Sequence, residues 1–349
     1  MQRKERHVKM QSREQKDSAA HFAELIPMLR CPECAGELSL DSGHFSCEKC
    51  GVDYPIVDGV ARFVSSDNYA TSFGFEWNKH AQTQLDNKGS RLSEEDFPRK
   101  TGFTPEEIKG KWVLDVGCGM GRFAEVASRW GAKVVGIDLS RAADMAAKNL
   151  SDRRNVWICQ ANIFQLPFAA ESFDYIYSIG VLHHTPDCRR AFEGLPRLLK
   201  PSGVIAIWLY SAYNKWYRMS DKYRRITTKL PNGVLYRLCQ MAAVLYYVHV
   251  GLRHIPIVGR TLSGVLNYVL PLPLHPQWDW RVLDTFDWYS PKYQSKHTYE
   301  EVFRWFEGCG LRGLRVLLEP ISVQGRKPGG LLNSECEEDV VEAGLRNHR

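Results

Sequence analysis

Residues 113–123 read "VLDVGCGMGRF", a short apolar run, an acid, and three glycines at alternate positions. An apolar run that ends in glycines is a strand passing into a helix, with the glycines letting a ligand approach the backbone closely. A dinucleotide fingerprint needs GxGxxG so that a pyrophosphate can sit on the helix N-terminus. Here Gly117, Gly119 and Gly121 are followed by Arg122, where the last fingerprint glycine belongs. Asp115 stands two residues before the first glycine, and its charge opposes a pyrophosphate but suits a cation. Asp138 follows 23 residues later at the end of the next apolar run, where a carboxylate can accept both hydroxyls of a ribose. S-adenosylmethionine meets these demands, with an ammonium group for a carboxylate and an adenosine free of phosphates.

Outward from this turn the pattern repeats. "KWVLDVG", "KVVGIDLS", "NVWICQAN", "FDYIYSIG" and "GVIAIWLY" read as buried strands. Between the first two, Phe123, Val126, Ala127 and Trp130 share one helical face, and residues 141–150 form an Ala-rich helix. Alternation at this spacing predicts an α/β fold with a doubly wound, mostly parallel sheet. The order of "VVGIDLS", "LPFAAESFDYIYSIGVLHHTPD" and "EGLPRLLKPSGVIAIWLY" behind the glycine turn resembles class I S-adenosylmethionine-dependent methyltransferases over residues 73–320. The resemblance implies a Rossmann-like, seven-stranded sheet. It also implies that Asp115, Gly117, Cys118 and Gly119 form the methionine and adenosine turn, that Asp138 holds the ribose, and that Asn162 with the Ile163 backbone faces the adenine. Family members usually carry Asp where this chain has Asn162, which keeps a carbonyl acceptor but no charge. "SFGFEWNKH" and "TQLD" further resemble a sub-family with an N-terminal cap over the cofactor, found with bacterial surface-polysaccharide or secondary-metabolite genes. Phe73, Phe75 and Trp77 of that cap serve either the cofactor or the connector's core.

Cysteine spacing defines a second unit. "CPECAGELSLDSGHFSCEKC" sets Cys31, Cys34, Cys47 and Cys50 in two CxxC knuckles, the arrangement of four thiolates around one tetrahedral, structural zinc ion. Losing one ligand is expected to unfold this ribbon while the sheet domain still binds cofactor. The following "YPIVDGVARFV" resembles the zinc ribbon of small activator subunits of tRNA methyltransferases, a unit also fused to many bacterial methyltransferases. Cys118, Cys159, Cys188, Cys239, Cys309 and Cys336 lack ligand spacing and read as small apolar fillers.

Methyl transfer to a hydroxyl or ammonium requires a base for the departing proton. His183 and His184 of "VLHHTPD" fall just past the fourth strand of the sheet, where open sheets place ligands, and are the catalytic candidates. Asp284, Asp287 and His297 precede the final helix and are further candidates, set against solvated or capping roles.

The long insertion 211–297 is the least family-like part. From Lys200 to Trp278 there are ten Lys or Arg and one acid, Asp221, with Trp216, Tyr217 and further tyrosines interleaved. Its uncharged run, 238–252, is 15 residues long, whereas a membrane span needs about 20. Two readings stand: a helical lid whose apolar face closes the site, or a lid with peripheral membrane contact through 211–278.

The 349 residues carry a net charge of +6, too modest alone to imply nucleic acid, and no apolar leader opens the chain. The expected location is cytoplasmic, with a possible seat at the membrane surface. Expected units are a disordered lead 1–24, ribbon 25–64, cap 65–111, cofactor-binding core 112–210, helical lid 211–297, closing elements 298–330 and tail 331–349. Two functions are carried forward. One is O- or N-methylation of a small-molecule, glycan or lipid-linked acceptor. The other is base methylation of ribosomal or transfer RNA, with ribbon and insertion holding the RNA; the "GVLHHTPD" motif argues against nucleic acid.

Overall fold

The computed structural model describes residues 21–41, 43–64, 71–80, 83–86, 91–213 and 217–329. The lead 1–20, the tail 331–349 with Cys336, Trp216, and the side chains of Trp77 and Tyr217 lie outside the described residues. The ribbon comprises β1 (Leu38–Asp41), β2 (His44–Cys47), β3 (Asp53–Val57) and β4 (Val60–Arg62). Three helices lead to the sheet: α1 (Thr71–Lys79), α2 (Leu92–Thr101) and α3 (Pro105–Ile108). The core then alternates β5 (Trp112–Val116), α4 (Arg122–Arg129), β6 (Lys133–Asp138), α5 (Ala142–Asn149), β7 (Val156–Gln160), β8 (Phe173–Ile179), α6 (Cys188–Glu193) and β9 (Leu199–Trp208). The lid holds α7 (Tyr217–Thr227), α8 (Asn232–Ala243), α9 (Leu245–Arg253), α10 (Gly259–Val269) and α11 (Trp278–Tyr289). The chain closes with α12 (Tyr299–Gly308), β10 (Arg312–Val316) and β11 (Ser322–Arg326).

The sheet order β7-β6-β5-β8-β9-β11-β10 is the expected seven-stranded core, parallel except for β11 and β10. Alternating residues of each strand go to opposite faces, and both faces are covered. Leu114, Val135, Trp157, Ile176 and Ile205 pack on one side with α6 and α12, and Val113, Val134, Val156, Tyr177 and Val204 on the other with α2, α4 and α5. That is why these strands read as unbroken apolar runs.

The ribbon is not a separate bead. Its β4 pairs in parallel with β7, Val60 opposite Ile158 and Arg62 opposite Gln160, so one sheet of eleven strands runs through both units. Ribbon residues Leu25, Leu29, Phe45 and Tyr54 join the same buried cluster as Val135, Trp157 and Phe168 of the core. The boundary at residue 24 is corrected by this packing. Phe22 is fully buried against Phe45, and His21 stacks on Trp157 at 5.1 Å while its carbonyl accepts from the Trp157 indole at 2.7 Å. An aromatic pair that buries this much surface belongs to the folded unit, not to the lead.

Because Phe45 sits in this shared cluster, Phe45→Ala should cost about 3–5 kcal/mol. It should lower a single calorimetric transition rather than a ribbon transition alone. Two resolved transitions, with the sheet's unmoved, would show that the units fold independently.

Candidate active site

Built at the carboxyl ends of β5, β6, β8 and β9, at the strand-order switch where open sheets bind ligands, is a cavity of about 440 Å³. Its floor is the β5–α4 turn. Gly117 has a φ of 82°, and a Cβ there would lie 2.3 Å from a Val181 methyl, so only glycine fits. The amides of Gly117 and Cys118 both donate to the Ile137 carbonyl, at 2.8 and 2.9 Å. The Gly119 amide donates to Asp138 Oδ2 at 3.0 Å, and Ser140 donates to Asp138 Oδ1 through its amide at 2.8 Å and its hydroxyl at 2.7 Å. Burial nevertheless pushes the Asp138 carboxyl above the usual range.

Gly117, Cys118, Gly119, Asp138 and Ile163 reach the cavity wall, but Asp115 and Asn162 do not. Asp115 is buried with Oδ2 unpartnered, and burial, with the Asp138 charge adding, pushes its carboxyl up to about 7. Asn162 spends its acceptor on the Phe164 amide, 3.0 Å away, as a short amide capping its own turn does. Ala161 and Ile163, on either side of it, line the cavity.

The roof comes from α1 and α11. Phe73 and Glu76 descend from the first, and Trp280, Leu283, Asp284, Asp287 and Trp288 from the second. Glu76 is buried with Oε2 unpartnered, and burial holds its carboxyl well above the ordinary range, with Asp287 and Asp284 adding. Burial likewise raises Asp284 to about 7, with Asp287 adding and Arg122 and Lys100 opposing. Asp287 accepts from the Tyr210 hydroxyl at 2.7 Å. These carboxyls share the cavity with Lys100 and Arg122, and the aromatic faces of Phe73, Phe123, Trp208, Tyr210, Trp280 and Trp288 around them suit a cation. A sulfonium with an ammonium group fits this lining, and the Asp138 edge fits a ribose.

The two candidate histidines part company. His183 is fully buried, stacked on Tyr210 at 4.0 Å, with neither ring nitrogen partnered, and it does not line the cavity. His184 lines it. Its Nδ1 lies 3.0 Å from the Tyr293 carbonyl, which only accepts, so Nδ1 carries the proton and the buried, unpartnered Nε2 carries a lone pair. Burial depresses its pKa below 6.5, which keeps the ring neutral. His297 is a fastener: its ring meets Ser295 at 2.7 Å and Glu301 at 3.0 Å, and its backbone bonds Tyr210 and Ala212. Glu76 escaped the sequence reading, although its place three residues after Phe73 puts both on one helical face. Phe75 faces the other way, packing with Phe286 and Tyr236 of the lid.

Across the molecule, Sγ atoms of Cys31, Cys34, Cys47 and Cys50 lie within 4.8 Å of one another, with Cys34–Cys47 at 3.4 Å and Cys31–Cys50 at 3.6 Å. Tetrahedral bonds of about 2.3 Å require thiolates roughly 3.8 Å apart, so the cluster suits zinc. Gly36 makes room: a Cβ there would lie 3.1 Å from the Cys47 sulfur and 3.2 Å from that of Cys34. Cys118, Cys159, Cys188 and Cys239 are buried fillers as expected, and burial pushes the last three to about 12.

Comparison with known proteins agrees with this geometry. Residues 114–207 match the methyltransferase domain family, and residues 23–59 match the Trm112p-like protein family. Over 114 residues the chain is 36% identical to the ubiquinone biosynthesis O-methyltransferase of Coxiella burnetii, covering 32% of this chain and 47% of that protein. It is 30% identical over 130 residues to the sterol 24-C-methyltransferase of Schizosaccharomyces pombe, covering 36% of this chain and 34% of that one. It is 33% identical over 140 residues to the Homo sapiens protein named "Probable tRNA methyltransferase 9B", covering 38% and 29% respectively. The chain thus spans about half or less of each relative's length.

Asp138→Ala should remove the one acceptor site its carboxylate keeps open for a ribose hydroxyl, a charge-assisted bond worth about 1.5–3 kcal/mol, and loosen the Gly119 turn. Affinity for S-adenosylhomocysteine should fall by about a hundredfold or more. Unchanged affinity by titration calorimetry would remove Asp138 from the site.

Proposed function

We propose that the chain, a class I S-adenosylmethionine-dependent methyltransferase with an N-terminal Trm112-like ribbon, methylates a hydroxyl or amine of a small-molecule, glycan or lipid-linked acceptor held beneath α11. The observation that carries this reading is the roofed cavity, where a glycine turn and Asp138 meet the carboxyls of Glu76, Asp284 and Asp287, six aromatic rings and a histidine whose pKa burial depresses. The cofactor supplies an electrophilic methyl group on a sulfonium. The protein's share is position and dryness: α1 and α11 exclude water while the turn and Asp138 hold the adenosine end. His184 accepts the acceptor's proton at Nε2, its lone pair fixed by the Tyr293 carbonyl. Asp287 holds the Tyr210 hydroxyl, which orients the ring wall beside it. An acceptor with a non-polar part suits the aromatic lining. RNA finds less support, since the lid's outer surface is largely apolar.

The same proposal assigns one structural zinc to Cys31, Cys34, Cys47 and Cys50, with no open coordination position for chemistry. Because the ribbon shares its core with the sheet, the metal braces both.

The proton acceptor is testable by pH. His184→Ala should lower kcat by about 10²–10⁴ while S-adenosylhomocysteine affinity stays put. In the parent, kcat should stay level as pH falls through 7, because a histidine with a depressed pKa remains neutral there. A rate that instead drops below pH 7 and loses that inflection in Asp284→Asn would transfer the role to Asp284. For the metal, elemental analysis should find one zinc per chain, and Cys47→Ser should abolish it along with stability on the order of 10 kcal/mol. Protein made with ample zinc yet containing none would end the assignment.

A further inference from the structure

Two lid helices are packed inside out. In α9 the buried residue is His249, and in α10 the buried ones are Gly259 and Ser263. The contact between them is polar, His249 Nδ1 to Ser263 Oγ at 3.0 Å. Their apolar side chains point outward: Tyr247, Val248, Leu262, Val265, Tyr268 and Val269 are all exposed. Met241 of α8 is 69% exposed, and Ile257, at the turn between α9 and α10, is 98% exposed. Of 21 exposed large hydrophobic residues among the described residues, 14 fall between Ile226 and Val269. A soluble helical lid places such residues inside and leaves no apolar patch of this extent in water.

Charge identifies what covers it. Between Lys222 and Trp278 the sequence holds no Asp or Glu, while Lys222, Arg225, Lys229, Arg237, Arg253 and Arg260 are exposed around the apolar face. No helix among the described residues is long and apolar enough to cross a membrane. An apolar face whose own helices carry cations and no acid, with Asp221 and Asp279 only at its two ends in sequence, matches an interfacial helix whose side chains enter the headgroup boundary while Lys and Arg meet anionic lipid. We infer that α8, α9 and α10 form a seat for the protein on an anionic bilayer surface, with Ile257 and Met241 entering the lipid.

The seat connects to the cavity. Arg281 of α11 is fully buried, its guanidinium 4.2 Å from the Tyr246 ring and 5.5 Å from the Tyr247 ring of α9, and its Nη1 donates to the His275 carbonyl at 2.7 Å. The same helix α11 carries Trp280, Asp284 and Asp287 into the cavity roof. Seating α9 on lipid thus places the roof next to the bilayer, where a lipid-linked acceptor is presented.

The inference deepens the proposed function by naming its partner surface, yet its test needs no methyl donor, so the two fail separately. The full-length chain is sedimented with vesicles of phosphatidylcholine, with or without phosphatidylglycerol. Partitioning should be at least about tenfold greater with phosphatidylglycerol and should fall as salt rises. The double variant Met241→Asp/Ile257→Asp should lose about tenfold or more of it, with S-adenosylhomocysteine affinity unchanged as evidence of an intact core. No sedimentation with phosphatidylglycerol vesicles at low salt would overturn the inference, as would equal partitioning of the variant. A concentration-dependent dimer that the same variant dissolves would assign the face to a second copy and overturn it too.

Discussion

Everything at the ligand end of the sheet hangs on the short span between Ile137 and Ser140. The Ile137 carbonyl takes two amides of the glycine turn, and the Asp138 carboxylate takes a third from Gly119 while Ser140 fixes its other oxygen. Five donors, from four residues at two neighbouring strand ends, thereby converge on adjacent residues of one strand. The turn cannot shift without breaking several of these bonds at once in a buried setting, where each unmet group costs about 1–3 kcal/mol. Cavity floor, helix α4 and the position of Val181 all follow from that junction.

How much of this could be read from the chain depends on the range of the interaction. The sheet was legible because buried parallel strands must be apolar throughout, so "VLDV" and "KVVGID" announce themselves. The four thiolates were legible because tetrahedral ligation dictates spacing. Gly117, Gly119 and Asp138 were legible through turn geometry. The turn at Asn162 was not legible, because a local competitor, the Phe164 amide two residues on, claims its acceptor. The different surroundings of His183 and His184 could not be read from sequence, since they rest on Tyr210 and Tyr293, residues brought up from elements far along the chain. Glu76 was hidden for a related reason. Its neighbours Asp284 and Asp287 lie over two hundred positions away, and only the fold makes the three into one acidic roof.

The lid reverses the usual relation between pattern and burial. Alternation of apolar and small polar residues in α9 and α10 is ordinary for an amphipathic helix, and the sequence alone leaves open which side faces inward. Packing decides it, because His249 and Ser263 satisfy each other on the inner side while Val248, Leu262, Val265 and Val269 are exposed. The small cluster of Leu235, Cys239, Phe286 and Tyr289 anchors α8 to α11 and stands in for a lid core.

The continuity of ribbon and sheet also bears on how the chain stays soluble while folding. Open sheets end in strands with unpaired amides and carbonyls, templates for pairing with another molecule. At one margin the protein blunts this hazard with Arg312 and Arg315 on β10, whose register is broken between those two residues. At the other margin the cover is β4, three residues of a ribbon that four thiolates hold in shape. Strip the ribbon away and β7, whose five residues are all buried, becomes a bare hydrophobic edge. The cysteine cluster is therefore a guard against aggregation as much as a brace, since whatever loosens it uncovers that edge.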